Sequence, residues 1–199
     1  NPTGYSVSDS EWEELNRFLR EKAAETGKKI ILFVDVAYID FAGTAEASRR
    51  FFKNFDNLPE NLLVLVGYSM SKGYTLYGMR CGAILCVAAN QEIADEFKDV
   101  CSFSNRGAWS NGTRAAMHAL ADAYNDPTYL AAIETEREFF RALLDRRNNA
   151  FIEAAKEAGL RTVPFTAGFF VSIPCDDPMA IAAKLKEDNL FVIPLQKGL

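Results

Sequence analysis

Lys72 stands in the run Ser69-Met70-Ser71-Lys72, and Arg80 follows eight residues later. Together these groups have the parts of an anion site with a nucleophilic amine inside it. Ser69 and Ser71 can donate to phosphate oxygens, and Arg80 can clamp them with a planar bidentate fork. An amine held beside another cation in a partly desolvated site loses basicity and becomes nucleophilic near neutral pH. Lys72 is therefore the candidate reactive group. The spacing lacks the G-x-x-x-x-G-K-[ST] pattern, which argues against nucleoside triphosphate binding.

The elements that must position this group are legible around it. Apolar runs at residues 62–66 and 83–87 read as two buried strands framing the lysine segment as a turn. A third run, residues 30–34, is short, continuous and apolar, the pattern of a strand buried on both faces of a parallel sheet. Asp35-Val36-Ala37-Tyr38 follows at its carboxyl end, where open α/β sheets place ligands. Taken alone, that aspartate could simply cap a turn, and Asn1-Pro2-Thr3-Gly4 is turn chemistry too.

Ser-Met-Ser-Lys followed by Leu76-Tyr77-Gly78-Met79-Arg80-Cys81-Gly82 resembles the pyridoxal-phosphate lysine signature of class I/II aminotransferases, and Asp35-x-Ala37-Tyr38 resembles a second segment of that family. The resemblance extends over essentially the whole chain. It implies an α/β fold, part of the large domain of a fold-type-I pyridoxal-phosphate transferase (an α/β/α sandwich with a mostly parallel sheet), followed by the start of a small α+β domain.

It also implies roles. Lys72 carries pyridoxal 5'-phosphate as a Schiff base; Ser69, Ser71 and Arg80 bind its phosphate; Asp35 holds the ring-nitrogen proton; Tyr38 and Asn1 hydrogen-bond the phenolic oxygen. Arg106 resembles the arginine that reaches the partner subunit's site in aspartate and aromatic aminotransferases and binds a substrate side-chain carboxylate, which implies a homodimer. The family usually continues with two prolines where this chain has Gly112-Thr113. The implied reaction moves an amino group between an aspartate or aromatic amino acid and a 2-oxo acid. A lyase on the same scaffold, or a ligand-sensing domain of a transcription regulator, is an alternative, since these motifs fix the cofactor rather than the reaction.

The remaining sequence narrows the class. With 199 residues, 49% hydrophobic, and a net charge of -5, the chain can bury a core, and nothing in it suggests a nucleic-acid or membrane surface. Cys81, Cys86, Cys101 and Cys175 form no C-x-x-C pair and His118 is the single histidine, so no metal site is expected and a reducing cytoplasm fits.

Ser8 to Glu11 reads as a capping box opening a helix that stops at Gly27, and residues 45–52 carry a helical patch. Residues 90–98 read as a helix, Ser104 to Asn111 as a polar break containing Arg106, and residues 113–124 as a helix. Asp126-Pro127 starts a connecting helix of about 48 Å at 1.5 Å per residue. Residues 168–173 and 190–193 read as strands around a helix capped by Asp177-Pro178. The expected division is 1–140, the C-terminal part of the cofactor-binding domain, and 141–199, the end of the connecting helix and part of the small domain. Opening on Asn-Pro-Thr-Gly without an initiator methionine, the chain reads as an internal piece that is inactive alone.

Overall fold

The computed structural model describes residues 3–195. In chain order the elements are α1 (Asp9–Thr26), β1 (Ile30–Asp35), α2 (Ala45–Arg49), β2 (Leu62–Ser69), α3 (Met70–Gly73), β3 (Gly82–Val87), α4 (Gln91–Ala108), α5 (Arg114–Asn125), α6 (Pro127–Glu157) and α7 (Pro178–Glu187), with 3-10 turns at Ile39–Phe41, Arg50–Phe55 and Tyr77–Met79. The chain divides into two units, one comprising residues 7–142 and the other residues 3–6 with 143–195 of those described.

In the first unit, α1 begins with the expected capping box: Ser8 Oγ accepts from the Glu11 amide at 3.4 Å while Glu11 Oε2 accepts from the Ser8 amide at 2.7 Å. It ends at Gly27, whose φ of 62° suits a residue without Cβ and whose N–H bonds the Ala23 carbonyl. Trp12 is the buried anchor of its inner face, stacked on Phe51 at 4.9 Å and edge-on to Phe55 at 5.8 Å. The helical patch at residues 45–52 is thus a short helix and a 3-10 turn that deliver aromatic rings to the core.

The sheet runs in the order β1-β2-β3 and is mixed. β1 lies parallel to β2, with Asp35 opposite Gly67, and β2 lies antiparallel to β3, with Ser69 opposite Gly82. The mostly parallel sheet expected from the sequence is not seen among the described strands. A parallel return needs a crossover of about a dozen residues or more that packs back over the sheet. Residues 70–81 instead form α3 and a 3-10 turn, and the chain comes back antiparallel. β2 also runs on to Ser69, so the serine ends a strand rather than sitting in an open turn.

Burial departs from the expectation in a second way. β2 is the core strand, with Leu62, Val64 and Val66 at 2% exposure or less. β1 alternates: Val34 is buried, but Ile31 and Phe33 are 62% and 58% exposed. Ile84 and Leu85 on β3 are about half exposed. The continuous apolar runs therefore do not mean burial on both faces within this chain; one face packs on α1 and the aromatic turn, and the other is open. Leu62→Ala is expected to cost about 2–5 kcal/mol, read as a lower denaturation midpoint at unchanged slope. A loss below about 1 kcal/mol would show that the site collapses around the smaller side chain.

α4 is longer than expected. It continues through the polar stretch to Ala108, and Arg106 lies in its last turn. Serine and asparagine facing water cost a helix only a few tenths of a kcal/mol each, roughly, and Gly107 falls where the helix is already ending. Asp126 caps α6 as expected, its Oδ1 accepting from the Thr128 and Tyr129 amides at 2.9 and 3.1 Å with Pro127 between. At 31 residues, α6 is about 46 Å long.

In the second unit, residues 3–6 run beside residues 165–167: the Gly4 carbonyl accepts from the Thr166 and Ala167 amides at 2.7 and 3.0 Å. Asp177 caps α7, accepting from the Ala180 amide at 2.9 Å. The strands expected at residues 168–173 and 190–193 are absent among the described residues. The Ser172 carbonyl accepts from the Val163 amide at 2.9 Å, and an apolar run forms a strand only where a neighbour supplies a ladder. No helix among the described residues is long and apolar enough to cross a membrane.

Candidate active site

Parallel pairing of β1 and β2 decides the geometry. Because Asp35 is opposite Gly67, both strands deliver their carboxyl ends to the same edge, and the Val36 amide extends the pairing by donating to the Gly67 carbonyl at 3.0 Å. The segments Asp35 to Tyr38 and Ser69 to Lys72 therefore leave the sheet side by side. Residues separated by more than thirty positions are brought together by strand register alone.

Lys72 sits in α3, the single turn that follows β2. Ser69 caps this turn, its Oγ accepting from the Ser71 amide at 3.2 Å. The Ser69 hydroxyl hydrogen can still donate outward. The Lys72 ammonium lies 4.7 Å from the centroid of the Tyr77 ring and 5.7 Å from that of Tyr38, both within cation–π reach. Arg80 approaches the same Tyr77 ring, its guanidinium carbon 5.2 Å from the centroid, and Nη1 donates to the Tyr77 carbonyl at 2.8 Å. Arg80 takes a left-handed backbone, φ 52°, which turns the chain sharply into β3. Gly82 then passes so close to β2 that a Cβ there would lie 2.4 Å from the Tyr68 carbonyl oxygen.

Asp35 ends β1, and its Oδ1 accepts from the Ala37 amide at 2.9 Å. That bond is the turn-capping role open to any aspartate here, and it leaves the second carboxylate oxygen for another partner. Tyr38 is half-buried. Burial first, then the Asp35 charge and the neighbouring Tyr77, push its phenol above the usual 10.0. Tyr38 therefore stays protonated, a hydrogen-bond donor, through neutral and mildly alkaline pH.

Structure thus places Lys72, Tyr38 and Arg80 around one tyrosine, with Asp35 acting on Tyr38 and Ser69 and Ser71 at the start of the lysine turn. Arg106 stands apart from this group in its described contacts: its Nη1 donates to Ser110 Oγ at the end of α4. Asn1 lies outside the described residues. Tyr77, Gly73, Asp40 and Arg137 were not singled out from sequence. Tyr77 does carry a signal, an aromatic five residues after Lys72 and three before Arg80.

The donor set fits a phosphorylated aldehyde cofactor. An amine can bond its aldehyde carbon, hydroxyls and a guanidinium suit its phosphate, and a carboxylate with a protonated phenol suits its polar ring positions. These residue types suit the cofactor and do not by themselves fix the reaction. Residues 1–197 match the family described as "Aminotransferase class I and II", and the chain belongs to that family, whose members use pyridoxal phosphate.

Similar proteins agree on the class and differ in the substrate their names carry. An aminotransferase from Anaerococcus prevotii superposes with a TM-score of 0.94 at 45% identity, covering 100% of this chain and 48% of its own. The aromatic-amino-acid aminotransferase of Pseudomonas aeruginosa is 27% identical over 80% of this chain and 38% of its own. A histidinol-phosphate aminotransferase of Pseudomonas entomophila is 28% identical over 89% of this chain and 45% of its own. The chain spans less than half the length of each.

Proposed function

We propose that the protein is a pyridoxal-phosphate-dependent aminotransferase that moves an amino group between an aspartate or aromatic amino acid and a 2-oxo acid, with Lys72 as the residue that holds the cofactor covalently. The observation that carries this reading is the convergence of the Lys72 and Arg80 cations on the Tyr77 ring beside Tyr38, at the edge where β1 delivers Asp35.

When bound, the cofactor supplies an electron sink for charge developing at the substrate Cα. The residues do the rest. Ser69, Ser71 and Arg80 would hold the phosphate. Asp35 would keep the ring-nitrogen proton in place, and Tyr38, kept protonated, would donate to the phenolic oxygen, the role proposed for Asn1 as well. Lys72 Nζ would hold the cofactor's aldehyde carbon and, as a free amine, would take the proton from the substrate Cα as general base.

Borohydride reduction of the full-length protein loaded with pyridoxal phosphate should leave a pyridoxyl group on Lys72. Label on Lys53 or another lysine would refute the assignment. Turnover of aspartate, phenylalanine and histidinol phosphate should rank the first two above the third; the reverse order would overturn the substrate class.

Arg106 is proposed to select acidic substrates across a homodimer interface, a reading supported by its resemblance to the family segment. Arg106→Ala should lower kcat/KM for aspartate about 10- to 100-fold, the worth of one charge-assisted bond, and change that for phenylalanine little. Equal losses for both substrates would contradict it.

A further inference from the structure

We propose that Arg137 is a positioning residue for Lys72, gripping the backbone immediately after the lysine and locking it to the turn that carries Tyr38. This deepens, and rests on, the reading of Lys72 as the reactive amine. Arg137 projects from α6, and its Nε and Nη2 both donate to the Gly73 carbonyl, at 3.0 and 2.9 Å. The guanidinium carbon lies over Tyr74, 4.9 Å from the ring centroid. One residue thus holds both neighbours that follow Lys72.

The third nitrogen completes a bracket. Arg137 Nη1 is 3.9 Å from Asp40 Oδ1, and that same oxygen accepts from Arg49 Nη2 at 2.7 Å. Asp40 belongs to the 3-10 turn Ile39–Phe41, two residues beyond Tyr38, and its side chain is only 5% exposed. A buried carboxylate is retained where cations compensate it, and here they tie the Tyr38 turn to α6. Gly73 is where the two segments touch: a Cβ on it would lie 2.0 Å from Asp40 Oδ2. Only glycine lets the lysine turn come this close to the carboxylate.

The mechanical consequence follows from α3 being a single turn. With so few internal hydrogen bonds, α3 cannot hold an ammonium in place by itself, so its direction is set by what grips its ends. Ser69 caps the start, and Arg137 clamps the carbonyl at the other end. Displacement of a reacting group by about 1 Å can cost about 100-fold in rate.

Arg137→Lys in the full-length protein is the decisive variant, because a single ammonium keeps the charge beside Asp40 but cannot make the two-pronged bond to the Gly73 carbonyl. Competitive amine labelling of the cofactor-free protein, with Lys53 as internal reference, should show Lys72 reactivity altered by about 3-fold or more while Lys53 is unchanged. In the loaded protein kcat should fall about 10- to 100-fold with the amino acid KM within about 3-fold, the split expected when orientation rather than binding is lost.

Lys72 labelling and kcat both near wild type in a folded Arg137→Lys protein would overturn the proposal. So would failure of Arg137→Lys to fold, or a parallel rise in labelling of every lysine, since either would make the guanidinium a prop for the fold. Gly73→Ala, which pushes the bracket apart from the other side, should reproduce the altered Lys72 labelling; unchanged labelling there would also count against it. If wild type takes no pyridoxyl group at Lys72, the functional reading fails, and the labelling arm, which needs no cofactor, still decides whether Arg137 positions the amine.

Discussion

Replacing Lys72 with arginine or alanine in the full-length protein is expected to lower transamination by between about 10²- and 10⁴-fold, the range for loss of a positioned general base. Arginine is the sharper test. It keeps a cation beside Tyr77 and Tyr38, where the Lys72 ammonium now lies 4.7 and 5.7 Å from the ring centroids. A guanidinium, however, does not deprotonate in a protein and offers no lone pair for the aldehyde carbon or the Cα proton. Both variants should still bind pyridoxal phosphate through Ser69, Ser71 and Arg80, now releasable by dialysis, because those contacts do not involve the amine. Turnover within about tenfold of wild type in either variant would remove Lys72 from the chemistry.

Asp35 is expected to produce the second largest effect, and here the choice of substitution separates two roles. Its Oδ1 already accepts from the Ala37 amide, so Asp35→Ala removes both a turn cap and a charge. Asp35→Asn keeps an oxygen acceptor for Ala37 and removes only the charge. If the carboxylate holds the ring-nitrogen proton, Asp35→Asn should cost about 10²-fold or more in kcat, near the loss in Asp35→Ala, with thermal stability close to wild type. Near-normal turnover in Asp35→Asn alongside a loss in Asp35→Ala would reduce Asp35 to a structural cap. The charge also helps raise the Tyr38 phenol, although burial is the larger cause. Asp35→Asn should therefore shift the Tyr38 titration downward without returning it to that of a free tyrosine.

Local chemistry was largely readable from the residues. The capping box at Ser8 and Glu11, the Asp126-Pro127 start of α6 and the Asp177 cap are each decided by side chains within three positions of the backbone groups they satisfy. Closeness in sequence likewise groups Ser69, Ser71 and Lys72 at the end of β2, with Arg80 just before β3. α4 shows the limit of such reading, because a run of serine, asparagine and glycine weakens a helix without ending it, and only the continued backbone bonding shows where the end lies.

What tertiary structure decided was everything that depends on register and on what stands opposite. A continuous apolar run can mark β1 as a strand, but not that Asp35 pairs with Gly67, nor that its Ile31 and Phe33 face stays open here. The residues of β3 could not announce an antiparallel return, which follows from how residues 70–81 fold. Arg137 lies 64 positions from Gly73, and Asp40 is 33 positions before it; no spacing rule connects such groups. By chemical type the sequence singled out Lys72 as a candidate amine and Ser69, Ser71 and Arg80 as groups suited to a phosphate. It could not show the bracket of Arg137, Gly73 and Asp40 around that amine, because a hydrogen bond to a backbone carbonyl leaves no mark on the identity of the residue that accepts it.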